Sequence, residues 1–287
     1  MRKKLNEETI GPAADKIAKS WRLQLCDRIA ETRRAYVFKV DRPNGVAALK
    51  IYKRLGAAGE GAGIHFLQNL APGIGARIYR KSAWRSAVLM EWLEGDTLDK
   101  LVVRGEDAKA IALTAQVANA VTATNFRLPF IYRRLAPGLQ RDFKSCLSPA
   151  SDMSRQSELG RAMALLLQLM NTSPNERVLH GDLGFGNIML TPEGPRLFDP
   201  KGLRADPAFE VAKSLITPYG NTSLSDFETR VATRGPVLAQ AVGTSPLRLT
   251  QWAAVMLAHK VFVGGQKRPE QRELMPYLTR LLDLSEV

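Results

Sequence analysis

The sequence predicts an α+β chain in which a small, antiparallel, β-rich part, residues 1–94, precedes a larger helical part, residues 95–287. Three observations carry this expectation. First, AYVFKVDRPNGVAALKIYK, Ala35 to Lys53, has two strand-like halves around Pro43-Asn44-Gly45, and Asn-Gly tolerates the positive φ of a tight hairpin turn. Second, apolar residues beyond residue 95 recur mainly at helical spacing. Third, the helical pattern is interrupted by VLHGDLGFGNIML, Val178 to Leu190, where a carboxylate follows a histidine by two positions and a carboxamide follows the carboxylate by five. Gly181, Gly184 and Gly186 give that loop a backbone freedom that side chains with a Cβ would obstruct.

The elements follow in order. An amphipathic segment leads into the hairpin, which supplies the first strands of an antiparallel sheet. EGAGIHFLQNL, Glu60 to Leu70, sets Ile64, Leu67 and Leu70 at helical spacing despite its glycines. GARIYR and SAVLMEWLEGD then read as two further strands, the second ending near Glu94. Helices are expected at about 106–126, 133–146, 155–172, 206–216, 224–242, 247–263 and 269–285. Two short strands, NIML and PRLFD, separate the third helix from the fourth.

With 287 residues, 45% of them hydrophobic, the chain can bury the core of a two-lobed enzyme. Cys26 and Cys146 share no metal-type spacing with His65, His180 and His259, so neither a disulfide framework nor a zinc site is expected. The basic N-terminus lacks an apolar signal core, and no run reaches the roughly 20 apolar residues of a membrane span; a cytoplasmic protein is the expectation. The net charge of +13 is spread along the chain rather than gathered in a tail. Basic stripes interleaved with aromatics are missing, so no nucleic-acid partner is expected.

LHGDLGFGNIML fits the pattern H-G-D-x-x-x-x-N, and LFDPKG, Leu197 to Gly202, stands where protein kinases carry D-F-G. Together with the order of elements, these motifs resemble the aminoglycoside phosphotransferase family, in particular its streptomycin-phosphotransferase-like branch. The resemblance runs from about Arg33 onward, with its specific motifs confined to residues 178–209. It implies a protein-kinase-like two-lobed fold and transfer of the γ-phosphate of ATP, with Mg²⁺, to a hydroxyl of a small molecule. Asp182 would then orient the hydroxyl and accept its proton as the base, and Asn187 and Asp199 would bring oxygens to Mg²⁺. Read singly, an Asp and an Asn in a glycine-rich loop are ordinary turn formers; read with Asp199, they form a catalytic set. His180 is expected to brace the loop.

On the nucleotide side, Lys50 in the second hairpin strand would hold phosphates, with Lys53 and Arg54 as close competitors. Glu60 opens the next helix and would pair with Lys50, or else simply favour the helix dipole. LMEWLEG, Leu89 to Gly95, would be the hinge, with main-chain groups around Glu91 and Leu93 meeting adenine. No G-x-G-x-x-G run precedes the hairpin, so AETRRAYVF must serve as the phosphate-covering turn. Farther on, Asp206 suits an N-cap before Pro207, and Lys201 could approach a phosphate or an acceptor.

The acceptor is expected to be a small hydroxylated molecule. Arg127, Arg133, Arg134, Arg141 and Lys144 accompany the single acidic Asp142 in the segment flanking the acceptor site. That balance favours a neutral or anionic metabolite or sugar over a polycationic aminoglycoside. An aminoglycoside kinase and a catalytically inactive kinase-like scaffold are the alternatives.

Overall fold

Pro43 and Asn44 turn the chain between strands β2 (Ala35–Arg42) and β3 (Gly45–Tyr52), and Gly45 enters β3 at φ +97. The computed structural model describes residues 6–32, 34–53, 60–127, 129–146, 153–173, 176–218, 222–263 and 273–286, with the side chains of residues 60, 129 and 153–156 outside that set. β1 (Gln24–Glu31), β4 (Ile78–Ser82) and β5 (Ala87–Glu91) complete a five-stranded antiparallel sheet in the order β1-β2-β3-β5-β4. β1 was not expected as a strand. It is an edge strand broken by two register shifts, and its exposed QLCDRIAE shows no clean alternation of apolar and polar residues. The amphipathic leader is α1 (Glu7–Trp21), started by the Asn6 capping box, and it lays Ile10, Ile17 and Trp21 on one face of the sheet.

The larger part is helical. α3 (Leu98–Val103), α4 (Asp107–Ala123), α5 (Ala136–Cys146), α6 (Met153–Asn171), α7 (Pro207–Ile216), α8 (Leu224–Val242), α9 (Pro246–Phe262) and α10 (Met275–Ser285) close around one apolar core. Two small sheets interrupt it. β6 (Asp96–Thr97), β9 (Ile188–Thr191) and β10 (Gly194–Leu197) form one, while β7 (Arg133–Arg134), β8 (Arg177–Leu179) and β11 (Leu203–Ala205) form the other. The sequence signalled only β9 and β10; strands of two or three residues are too short to show a period. Among the described residues, no helix is long and apolar enough to cross a membrane.

α7 lies at the centre and is held at both ends. Asp206 caps its N-terminus, accepting from the Ala208 amide at 3.0 Å, and the Arg248 guanidinium of α9 closes on the same carboxylate at 2.6 Å. At the other end, Arg234 of α8 donates to the carbonyls of Ser214 and Thr217 at 2.8 and 2.5 Å and pairs with Asp107 of α4. A cation over free C-terminal carbonyls is the favourable polarity.

The glycines of α2 (Glu60–Asn69) have a structural reason. The helix sets its first turn directly on the Pro200–Gly202 loop: a Cβ on Gly63 would overlap the carbonyl oxygen of Pro200, and one on Gly202 would lie 2.6 Å from the Ala62 backbone, at φ +64. Farther along, Phe66 stacks on Phe126 at 5.0 Å and meets His180 edge-on at 5.8 Å, so α2 buries its apolar side in the helical core. Gly63→Ala should therefore lower stability by about 1–3 kcal/mol, the usual cost of overpacking. Gly61→Ala, whose Cβ meets nothing within 4 Å, should leave stability unchanged or raise it by up to about 1 kcal/mol. Denaturant unfolding of the two variants side by side checks the contrast.

Candidate active site

The H-G-D loop begins where β8 ends, and its first two amides need acceptors inside the protein. Glu210 of α7 supplies them: its buried carboxylate accepts from the His180 amide at 2.7 Å and the Gly181 amide at 3.0 Å. Gly181 sits at φ +77, where a Cβ would also strike Leu203 at 2.7 Å. One turn along α7, the Ser214 hydroxyl donates to the Leu183 carbonyl at 3.2 Å. The fully buried imidazole of His180 joins this loop to the next: Nδ1 accepts from the Asp182 amide at 3.3 Å, and Nε2 faces the Phe198 carbonyl at 3.0 Å. The His180 carbonyl accepts from the Lys201 and Gly202 amides at 2.8 and 3.1 Å.

These bonds fix three oxygen-bearing side chains. The Asn187 carboxamide donates through Nδ2 to the Asp182 carbonyl at 2.8 Å, which leaves its Oδ1 as a free oxygen donor. The Phe198 amide donates to the Asn187 carbonyl at 3.2 Å and so sets Asp199 beside Asn187. Asp199 adopts φ +57, the left-handed region that aspartate enters more readily than most residues. Its carboxylate pairs with the Lys50 ammonium, which reaches it from β3 across 149 positions of sequence. Lys53 goes elsewhere, to Glu31 of β1. Asn187 and Asp199 are hard oxygen donors of the kind Mg²⁺ takes, and among the described residues no three His, Cys, Asp or Glu side chains form a fuller cage.

Asp182 faces a cleft of about 460 Å³ between α5, α7, α9 and the loop after Asp199. Both its oxygens meet ammonium groups: Oδ1 accepts from Lys213 of α7 at 2.7 Å, and Oδ2 pairs with Lys201 at 3.2 Å. Burial alone would push this carboxyl up, but the two lysines outweigh it and hold Asp182 below the ordinary carboxylate range. Burial acts unopposed in effect on its neighbours. It pulls His180 down to about 4, which keeps the imidazole neutral, and pushes Glu210 up to about 7 against the two amides that favour its charged form.

Of the sequence-predicted residues, Lys50, Asp182, Asn187 and Asp199 are thus brought together by hydrogen bonds and ion pairs. The side chain of Glu60 lies outside the described residues, as do Arg33 and Arg54. Glu91 ends β5 with its amide already donated to the Arg77 carbonyl at 2.8 Å and its carboxylate bound by Arg196 at 2.6 Å. Leu93 follows in the half-buried linker to β6. Glu210 and Lys213 were missed. Their spacing from Asp206 places them on one face of the helix that Asp206 opens, but a glutamate in a first turn and a lysine in a last turn are also what the helix dipole favours.

Residues 20–261 match the family described as aminoglycoside/hydroxyurea antibiotic resistance kinase. The hydroxyurea phosphotransferase of Kitasatospora aureofaciens is 31% identical over 206 residues; the match covers 69% of this chain and 58% of that protein, less than two thirds of its length. The crystal structure of aminoglycoside phosphotransferase APH(4)-Ia superposes with a TM-score of 0.70 at 12% identity, over 96% of this chain and 99% of the other. A thermostable APH(4)-Ia mutant in ternary complex with ADP and hygromycin B gives 0.68 at 12% identity, over 95% and 98%. A choline/ethanolamine kinase family protein from Mesorhizobium loti gives 0.69 at 14% identity, over 97% and 95%. At such identities the likeness establishes the fold, the two-lobed kinase-like arrangement that the motifs implied.

The two shifted groups act on stability with opposite signs. Neutral His180 penalises the folded state as pH falls from 6.5 towards 4, because the unfolded chain takes up the proton first. Glu210 does the reverse: its contribution is complete below 4.5 and is lost as pH rises through about 7. The stability of the wild type relative to Glu210→Gln should therefore fall by up to a few kcal/mol between those two pH values and be flat on either side. Denaturant unfolding of both proteins across that pH range measures the difference.

Proposed function

The chain belongs to the aminoglycoside/hydroxyurea antibiotic resistance kinase family, and from that premise we propose that it transfers the γ-phosphate of ATP, with Mg²⁺, to a hydroxyl of a small neutral or anionic molecule. The observation that carries the reading is the linked set of Asp182, Asn187, Asp199 and Lys50, tied through the Asn187 carboxamide, the Phe198 amide and the Lys50–Asp199 pair. ADP in the APH(4)-Ia complex supports a nucleotide as a ligand of a protein with this fold.

Each residue has a part in such a transfer. Asn187 and Asp199 would hold Mg²⁺ through their oxygens, and the ion would neutralise charge on the β- and γ-phosphates. Lys50 would exchange its bond to Asp199 for a share in the α- and β-phosphates, with the hairpin turn before Ala35 above them and the main chain from Glu91 past Leu93 against adenine. Glu60 is retained as the ion-pair partner of Lys50. Asp182 would orient the acceptor: the acceptor's hydroxyl oxygen bonds to the γ-phosphorus as the bond to the β,γ-bridging oxygen breaks, ADP leaves with that electron pair, and the hydroxyl proton passes to Asp182. A carboxylate held below its usual range is a weak proton sink. That suits a loose transition state, in which the proton moves late and alignment matters most.

A screen of Mg²⁺-dependent ATP consumption over sugars, polyols, phosphorylated metabolites and aminoglycosides tests the proposal; consumption with none of them, or consumption indifferent to chelation by EDTA, would overturn it. An aminoglycoside as the best acceptor would favour the antibiotic-kinase alternative. ATP binding without any transfer would favour a scaffold. Asp182→Asn should lower transfer by about 10² to 10⁴, the usual worth of a positioned base, while binding of Mg·ATP stays near the wild-type value in a thermal-shift titration. Lys50→Ala should weaken nucleotide binding strongly and Lys53→Ala hardly at all; the reverse order in the same titration would show that the wrong lysine of β3 and its following turn had been assigned to the phosphates.

A further inference from the structure

The cleft beside Asp182 has a charge balance that selects among acceptors. Its lining carboxylates are Asp142, Asp182 and Glu210, and each is already answered within the protein. Asp142 of α5 holds His259 of α9 at 3.0 Å, Asp182 holds Lys201 and Lys213, and Glu210 holds the two loop amides. Asp182 and Glu210 are thus engaged through both oxygens, and Asp142 is bonded through one oxygen to an imidazole.

The lining cations are Arg34, Arg133, Lys201, Lys213 and Lys260. Lys201 and Lys213 are bound to Asp182, and Arg34 and Lys260 have partners of their own. Arg133 differs: its guanidinium makes no hydrogen bond or ion pair among the described residues. The strand explains its direction. β7 pairs in parallel with β11, Leu203 against Arg133 and Arg204 against Arg134. Side chains alternate along a strand, so Arg134 turns to Glu176 at 2.8 Å while Arg133 turns to the cleft, one strand away from the segment that carries Lys201. An exposed guanidinium with all its donors unspent, at a cleft where Asp182 and Glu210 are engaged through both oxygens, matches the planar two-oxygen edge of a carboxylate or phosphate.

We propose that the acceptor is an anionic, hydroxyl-bearing small molecule, a sugar acid or sugar phosphate in class, whose carboxylate or phosphate is received by Arg133 while its hydroxyl lies at Asp182. The inference rests on the phosphotransferase reading and gives that site its substrate class. Arg133 is the specificity-determining residue. The lysines at Asp182 offset the repulsion between the acceptor's anion and the γ-phosphate.

Calorimetric titration of the full chain with ADP present tests this, using gluconate, glucose 6-phosphate, glucose and hygromycin B as probes. At least one anionic probe should bind about tenfold or more tighter than glucose, the worth of one charge-assisted pair. Arg133→Ala should erase that margin, Arg133→Lys should keep part of it, and the affinity for glucose should stay within about twofold. Because Arg133 is exposed and unpaired, unchanged thermal unfolding of the variants would show that they remain folded. Glucose binding as tightly as both anions, hygromycin B binding tighter than either, no binding by an anionic probe, or an Arg133→Ala protein with the wild-type margin would each overturn the inference. Which anion binds better decides between carboxylate and phosphate. ATP turnover in parallel separates the two readings: turnover with a neutral acceptor that requires Asp182 would keep phosphotransfer and sink the anionic acceptor, whereas no Asp182-dependent turnover would sink phosphotransfer itself.

Discussion

Two backbone amides at the start of the H-G-D loop, those of His180 and Gly181, point into the protein rather than into water, and their need for an acceptor governs much of the lower lobe. Glu210 meets that need from α7. A buried carboxylate is costly unless its lone pairs are used, and a buried amide is costly unless it is bonded, so each justifies the other. The same helix carries Lys213 to Asp182 and Ser214 to the Leu183 carbonyl, at positions three and four after Glu210. One face of one helix therefore sets the loop's depth, the charge state of its aspartate and the path of the chain beyond it. The clamps at Asp206 and Arg234 keep that face in register.

Charge in the upper half of the site is organised in pairs that span elements. Lys50 of the sheet holds Asp199, and Lys201 and Lys213 hold Asp182. These pairs are partly exposed, and pairs of that kind are worth little as stabilisers. Their value lies in orienting the two carboxylates where phosphates and a hydroxyl would meet, and at Asp182 also in holding the carboxyl below its ordinary range.

Much of this was legible in the residues. The Pro43-Asn44-Gly45 turn and the helices expected from about residue 106 onward are local signals that the described residues show, whereas α3, at six residues, was not signalled. Fold and family could be read because the H-G-D and D-P-K-G motifs are specific in combination. β1 escaped notice because an exposed, bulged edge strand needs no apolar alternation. β6, β7, β8 and β11 escaped because their lengths carry no period. Glu210 and Lys213 were illegible as site residues for a different reason: what matters about each is its partner, and partners 29 or more positions away leave no local trace; Arg133 was legible only as one of five cations in its segment.

The glycine contacts of α2 with the Pro200–Gly202 loop have a mechanical consequence. Although α2 follows the hairpin in sequence, Phe66, Leu67 and Leu70 belong to the helical core, while Ile64 touches the small cluster on the sheet. Two backbones in contact through Gly63 and Gly202 cannot slide past one another without the carbonyl of Pro200 being displaced. α2 is thus held to the helical lobe rather than to the sheet. Any swing of the sheet would lengthen or shorten the reach of Lys50 to Asp199 but leave the distance from α2 to Asp199 unchanged, so the lobes are geared at the lysine and locked at the helix.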